Sequence, residues 1–205
     1  MSDNLYRVIV IGPPGSGKSQ FCNFVQKDLT NSINKVGFTF DSTTVFPKSN
    51  KFKRIETNFD FIDTPAYSDY ENEDIEKCLN CLTNYLKELK RIHHLILLLR
   101  FGERITCDFL QYLKYLSKIF TVKEFLCHLS IVFTEFPENP SKIELKRKNS
   151  HIIELNKLIK STFELSETDN LPEINIYYIN TKIDKDNEEF YQKYQDTIDI
   201  ILEKI

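Results

Sequence analysis

The residues Gly12-Pro13-Pro14-Gly15-Ser16-Gly17-Lys18-Ser19 combine glycine spacing, a lysine and a hydroxyl in the order that phosphate binding requires. Val8 to Ile11 directly before them reads as a buried β-strand, and a helical pattern with Phe21, Cys22 and Val25 on one face follows directly after. In a strand–loop–helix of this kind, backbone N–H groups and the helix N-terminus converge on phosphate oxygens, and the glycines permit the close approach. The expected phosphate-binding set is Gly12, Pro13, Pro14, Gly15, Ser16, Gly17, Lys18, Ser19 and Gln20. Lys18 is placed to reach the β- and γ-phosphates, which makes it a candidate catalytic residue, and the Ser19 hydroxyl to ligate Mg²⁺.

Two further segments fit the same chemistry. Phe59-Asp60-Phe61-Ile62-Asp63-Thr64-Pro65 ends an apolar strand on an acidic residue, where a P-loop protein holds Mg²⁺, usually through water, so Asp63 is the metal-side carboxylate. Upstream, Gly37 to Val45 contains Thr39, Thr43 and Thr44. A threonine there can close over Mg²⁺ and the γ-phosphate, and Thr44 is the leading candidate for both the metal and the catalytic set. Ala66 stands where a glycine N–H would meet the γ-phosphate; it keeps the donor and loses glycine's freedom.

With these segments and the stretch Leu97-Leu98-Leu99-Arg100-Phe101-Gly102-Glu103-Arg104-Ile105-Thr106, the chain resembles the AIG/GIMAP-type GTPases, the immunity-associated proteins. Arg104-Ile105-Thr106 followed by Asp108 is similar to that family's box after the fourth strand. The resemblance implies a G domain that binds GTP or GDP with Mg²⁺, hydrolyses slowly alone and pairs as a homodimer across the nucleotide face when GTP-loaded. It also suggests that Arg104 acts across the dimer on the transferring phosphoryl group. No glutamine near Tyr67, Ser68 or Asp69 stands ready to orient water, in keeping with slow turnover.

Base recognition departs from the family pattern. Thr134-Glu135-Phe136-Pro137-Glu138 has Pro137 at the position of the guanine-reading Asp, which leaves Glu135 or Glu138, backbone contacts, or stacking by Phe136 as readers. Thr181-Lys182-Ile183-Asp184 matches the Thr-Lys-x-Asp motif residue for residue, yet it follows the last strand, so Asn180-Thr181-Lys182 is the expected closing loop over the base. An ATPase or nucleoside kinase, and a nucleotide-binding scaffold with negligible turnover, therefore stay open as alternatives.

The elements positioning these residues alternate strand and helix. Strands are expected over Tyr6 to Ile11, Thr43 to Pro47, Phe52 to Ile62, Leu95 to Leu99, Leu129 to Phe133 and Ile174 to Ile179, with a hairpin turn at Lys48-Ser49-Asn50-Lys51. Helices are expected over Lys18 to Leu29, Asp74 to Arg91, Asp108 to Phe120, Ser141 to Phe163 and Asn187 to Lys204. The prediction is a three-layer α/β P-loop G domain over residues 1–205, with a mostly parallel six-stranded sheet and one antiparallel strand.

At 205 residues with no Pro/Gly/Ser linker, one domain is expected. A net charge of −3 argues against nucleic acid as a partner. Five scattered cysteines suit reduced thiols in the cytoplasm. No signal peptide or lipidation motif is seen, and the longest apolar run, Leu95 to Leu99, is far short of a spanning helix, so no intrinsic membrane anchor is expected. Cys78 and Cys81 with His93 and His94 read as core packing rather than zinc ligands, and Lys146-Arg147-Lys148 as a solvated helix face.

Overall fold

The computed structural model describes residues 5–26, 47–54, 56–65, 72–89, 91–104, 107–117, 119–166, 168–170, 172–180 and 188–205. Thr39, Thr43, Thr44, Ala66, Thr181 and Asp184 lie outside the described residues. In chain order the elements are β1 (Leu5–Ile11), α1 (Lys18–Val25), β2 (Lys48–Arg54), β3 (Thr57–Asp63), α2 (Asn72–Glu88), β4 (His94–Arg100), α3 (Cys107–Leu116), α4 (Val122–Cys127), β5 (Leu129–Thr134), α5 (Lys142–Thr162), β6 (Asn175–Tyr178) and α6 (Glu188–Lys204).

The strands form one sheet in the order β2-β3-β1-β4-β5-β6, and every pairing is parallel except β2 with β3. Strand alternation builds a layer on each face. Val8 and Val10 of β1, Ile96 and Leu98 of β4 and Val132 of β5 pack against Phe21 and Phe24 of α1 and Ile198 and Ile201 of α6. Their neighbours Ile9, Ile11, Leu95, Leu97 and Ile131 point the other way, onto Leu82 and Leu86 of α2, Leu113 of α3, Phe125 of α4 and Leu155 of α5. Because β1 lies between β3 and β4, the strand order switches direction at the carboxyl end of β1, where open α/β sheets bind their ligands. The loop Gly12 to Gly17 emerges at that point.

One expected element is corrected. Lys48-Ser49-Asn50-Lys51 is not a turn but the first half of β2, and the reversal comes between Arg54 and Thr57, with Glu56 at φ 59. The reason is the edge position: among the described residues β2 pairs with β3 alone, and an edge strand tolerates a polar sequence. Asn50 is buried and its Nδ2 donates to the Phe61 carbonyl at 3.0 Å, while Arg54, also buried, pairs with Asp199 and donates to the carbonyls of Val25 and Gln195. The expected strand from Thr43 lies, apart from Pro47, outside the described residues. A second correction concerns the expected helix over Asp108 to Phe120: α3 ends at Leu116, and beyond that range a helix not expected from the sequence, α4, starts behind a capping box formed by Thr121 and Glu124.

The two histidines at the start of β4 serve the fold. His93 Nδ1 accepts from the Arg7 N–H at 2.9 Å and its ring stacks on Tyr6, while His94 Nε2 lies 2.8 Å from Ser130 Oγ. Among the described residues no three His, Cys, Asp or Glu side chains gather around a metal position. Burial, with His128 adding, pushes the His94 imidazole from 6.5 down to about 4. Between those values the unfolded chain binds the proton and the native chain does not, so stability falls as pH drops through that window. Integrated over the window, His94 accounts for a loss of about 3 kcal/mol. Melting temperatures measured across this range should therefore fall more steeply for the natural chain than for His94→Gln; parallel curves would refute it.

Candidate functional site

The loop between β1 and α1 is shaped by two glycines. A Cβ on Gly12 would stand 2.4 Å from the Leu98 carbonyl oxygen and 2.7 Å from Ser16 Oγ, so only glycine lets the loop pass this close to β4. Gly17 caps α1 at φ 87, in the left-handed region that glycine adopts without steric cost. Inside the turn, Ser16 is fully buried, and its Oγ has no hydrogen-bond partner among the described residues.

Lys18, at 7% exposure, sends its ammonium back over this turn and donates to the carbonyls of Gly12 and Pro13, each at 3.0 Å. The charge is thereby centred over the concave side of the loop. Next to it, Ser19 Oγ donates to Asp63 Oδ2 at 2.6 Å, across 44 positions of sequence. A hydroxyl and a carboxylate in contact beside a lysine form an all-oxygen donor pair suited to a hard divalent cation, and the residues present fit Mg²⁺. The neighbouring Cys22 is no nucleophile: burial pushes its thiol well above the usual range, Asp63 adds to the rise, and Lys18 and Lys48 oppose it.

Thr64 fixes the carboxylate. Its Oγ1 donates to the Val10 carbonyl at 2.7 Å and its N–H to the same oxygen at 3.3 Å, tying the end of β3 to β1 where the loop starts. Sequence reading did not foresee this role; the available signal was a hydroxyl residue between Asp63 and Pro65 at a strand end.

The end of β5 meets the loop between β1 and α1 through Thr134. Its Oγ1 donates to the Ser16 carbonyl at 3.0 Å and lies 3.4 Å from the Leu99 carbonyl. Ile179 N donates to the Phe133 carbonyl and Phe136 N to the Ile179 carbonyl, which brings Asn180 beside the Thr134-Glu135-Phe136 turn. Thr134→Val retains the shape and removes the hydroxyl. It should cost about 1 kcal/mol in thermal or urea unfolding and loosen labelled GDP several-fold in a fluorescence titration; unchanged GDP affinity would show that the link has no bearing on the ligand.

Glu135 and Phe136 are drawn into other contacts. Glu135 stands at φ 55 with Oε1 2.7 Å from Arg100 Nη2, and the other Arg100 nitrogen holds Glu103 at 3.1 Å. The bond to Glu135 is the main reason the Arg100 guanidinium is held above its ordinary range. The Phe136 ring meets Phe101 and Tyr178 edge-on at 4.9 and 5.2 Å. Arg104 is exposed and lines a cleft of about 200 Å³ between the β4–α3 connection and α5, opposite Arg147 and His151. Arg147 packs so closely on Gly102 that a Cβ there would meet its guanidinium at 3.2 Å. The structure thus brings together Gly12 to Ser19, Asp63 and Thr134, sets Glu135 and Asn180 beside them, and leaves Arg104 on the flanking cleft.

A model of the AIG1 family matches residues 6–160. The chain belongs to the AIG1 family. Among solved structures, this AIG1-family chain is similar to Toc33 from Arabidopsis thaliana in complex with GDP and Mg²⁺, at 20% identity and a TM-score of 0.67, covering 96% of this chain and 84% of that one. A dimerisation-deficient arginine-to-alanine variant of Toc33 matches at 18% identity and a TM-score of 0.69, covering 97% and 84%. Era from Aquifex aeolicus bound to GDP and aluminium fluoride follows at 15% identity and a TM-score of 0.59, covering 94% and 56%. At these identities the likeness shows the G-domain fold. A search of curated proteins by sequence gave no match.

Proposed function

We propose that this AIG1-family chain is a GTP-binding switch that hydrolyses GTP slowly with Mg²⁺, its 205 residues acting as one G domain. The contact between Ser19 and Asp63, directly beside Lys18, carries this reading, because it joins the phosphate loop to the metal-side carboxylate. Bound Mg²⁺ would supply neutralisation of charge on the phosphate oxygens. Lys18, now on the Gly12 and Pro13 carbonyls, would reach the β- and γ-phosphates, and Ser19 and Asp63, now bonded to each other, would hold Mg²⁺, the carboxylate through water. Thr44 and the Ala66 N–H close on the γ-phosphate side. Thr134, Glu135, Asn180 and Thr181 border the base. Water attacks in line, and with no glutamine to orient it, turnover by the lone chain is slow.

Assembly belongs to the same reading. Toc33 is described in complex with GDP or GMPPNP and Mg²⁺ and through a dimerisation-deficient arginine variant, and a Toc33–Toc159 study states that dimerisation is important for their GTPase activity. Here Arg104 is the exposed arginine at the family box, and a second copy of the chain pairs across the nucleotide face in the cytoplasm. Displacement of labelled GDP by GTP, ATP and GMP tests the ligand: GTP should compete strongly and ATP weakly, and displacement by ATP alone would overturn it. For Arg104→Ala, turnover per chain should lose its rise with protein concentration, by on the order of tenfold or more. A variant whose rise equals the natural chain's would remove Arg104 from the mechanism.

A further inference from the structure

The helix α5 leaves an unusual face outward. Ile143, Leu145, Ile152 and Ile153 are exposed by 80, 45, 41 and 61%, and with Ile200 they are the large aliphatic side chains most open to water among the described residues. Leu155 and Ile159, on the arc that adjoins Ile152, hold the helix to the sheet. At 3.6 residues per turn, Leu145, Ile152 and Ile153 share an arc of roughly 140° with Lys142, Lys146 and Lys157. Asn149 and Asn156 fill the space between, and the two carboxylates of the helix, Glu144 and Glu154, fall outside the arc. A stripe of lysines and aliphatics without one acid is not the random surface that the Lys146-Arg147-Lys148 run alone suggests.

Charge sharpens the contrast. The helix carries six basic residues against two acidic ones in a chain whose net charge is −3. The molecule is therefore polarised, with α5 its positive side, and an anionic surface will orient it with this face inward.

We propose that the outward face of α5 docks peripherally on an anionic lipid bilayer. Isoleucine and leucine enter the headgroup boundary while the lysine stems reach outward to lipid phosphates and carboxylates. The stripe's chemistry favours lipid over protein: it has no aromatic residue and no arginine, the side chains that anchor protein interfaces, and is rich in lysine, which such interfaces lack. The contact is reversible and superficial, since no helix among the described residues is long and apolar enough to cross a membrane.

Co-sedimentation of the full chain with vesicles tests this. Vesicles of roughly three parts phosphatidylcholine to one part phosphatidylserine should bind it, and pure phosphatidylcholine should not. Binding should disappear as salt is raised to about 0.5 M. Lys146→Glu/Lys157→Glu should weaken binding at least about tenfold, and Ile152→Ser/Ile153→Ser several-fold. All four positions are exposed, so both variants should melt with the natural chain. Equal binding to both vesicle types, or variants that sediment like the natural chain, would overturn the proposal. So would retention on immobilised polyglutamate without binding to vesicles, which would make the stripe a dock for acidic protein.

Discussion

Lys18→Met is expected to lower kcat/KM for GTP on the order of 10²–10³-fold, with GDP affinity falling about tenfold or more. The methionine keeps the apolar stem and the helix start, so the loss falls on the ammonium. Lys18 is 7% exposed and its ammonium is held over the turn by the Gly12 and Pro13 carbonyls, so it reaches a phosphate already oriented. Charge placed in advance at a site of developing negative charge is the strongest kind of transition-state stabilisation. Removing it also strips two loop carbonyls of their donor, at a cost of about 1–3 kcal/mol in stability. Single-turnover hydrolysis and a fluorescent GDP titration separate these effects. A lower melting temperature with unchanged kcat/KM would show that Lys18 only braces the loop.

Gly12→Ala is expected to meet the tightest clash of any glycine-to-alanine change among the described residues. The added methyl would lie 2.4 Å from a backbone oxygen of β4 and 2.7 Å from Ser16 Oγ, and neither neighbour yields easily. Leu98 belongs to a central strand, paired with β5 through its register with Val132, and Ser16 is fully buried. Either the loop lifts away from β4, which removes the phosphate cradle, or the sheet opens locally. Overpacking of this sort costs about 1–3 kcal/mol, which for a chain of this size lowers the melting temperature by roughly 2–12 °C. Nucleotide binding should be lost in step. A variant that melts normally and binds GDP normally would mean that the loop relaxes freely at this point.

Most of the strands and helices, the glycine-spaced loop after β1 and the acid ending β3 were readable because each is local: a β-branched run, a glycine spacing, an acid at a strand end. The Ser141–Glu144 capping box opens α5 where the sequence reading starts a helix. What escaped reading depended on distant partners. A polar run such as Lys48-Ser49-Asn50-Lys51 is a turn by composition and a strand by position, and only the pairing with β3 decides between them. The Thr121–Glu124 box was visible as a pattern, yet the short helix α4 that it opens was not expected, and the helix expected before it ran on past Leu116 to Phe120. Thr64 and Arg100 act through Val10 and Glu135, contacts that no short window of sequence contains. Glu135 shows what a motif leaves out: its carboxylate is paired with Arg100, at the end of the neighbouring strand.

The polar edge strand bears on how copies of this chain meet. Ser49, Lys51 and Lys53 project to solvent from β2, and the opposite rim of the sheet, β6, is only four residues long. Charged side chains and shortness at a rim both discourage a foreign strand from adding to the ladder. Growth of the sheet from molecule to molecule is thus discouraged at both described margins, which favours an association of two copies through helices and loops, a discrete contact that can form and dissolve without rethreading backbone hydrogen bonds.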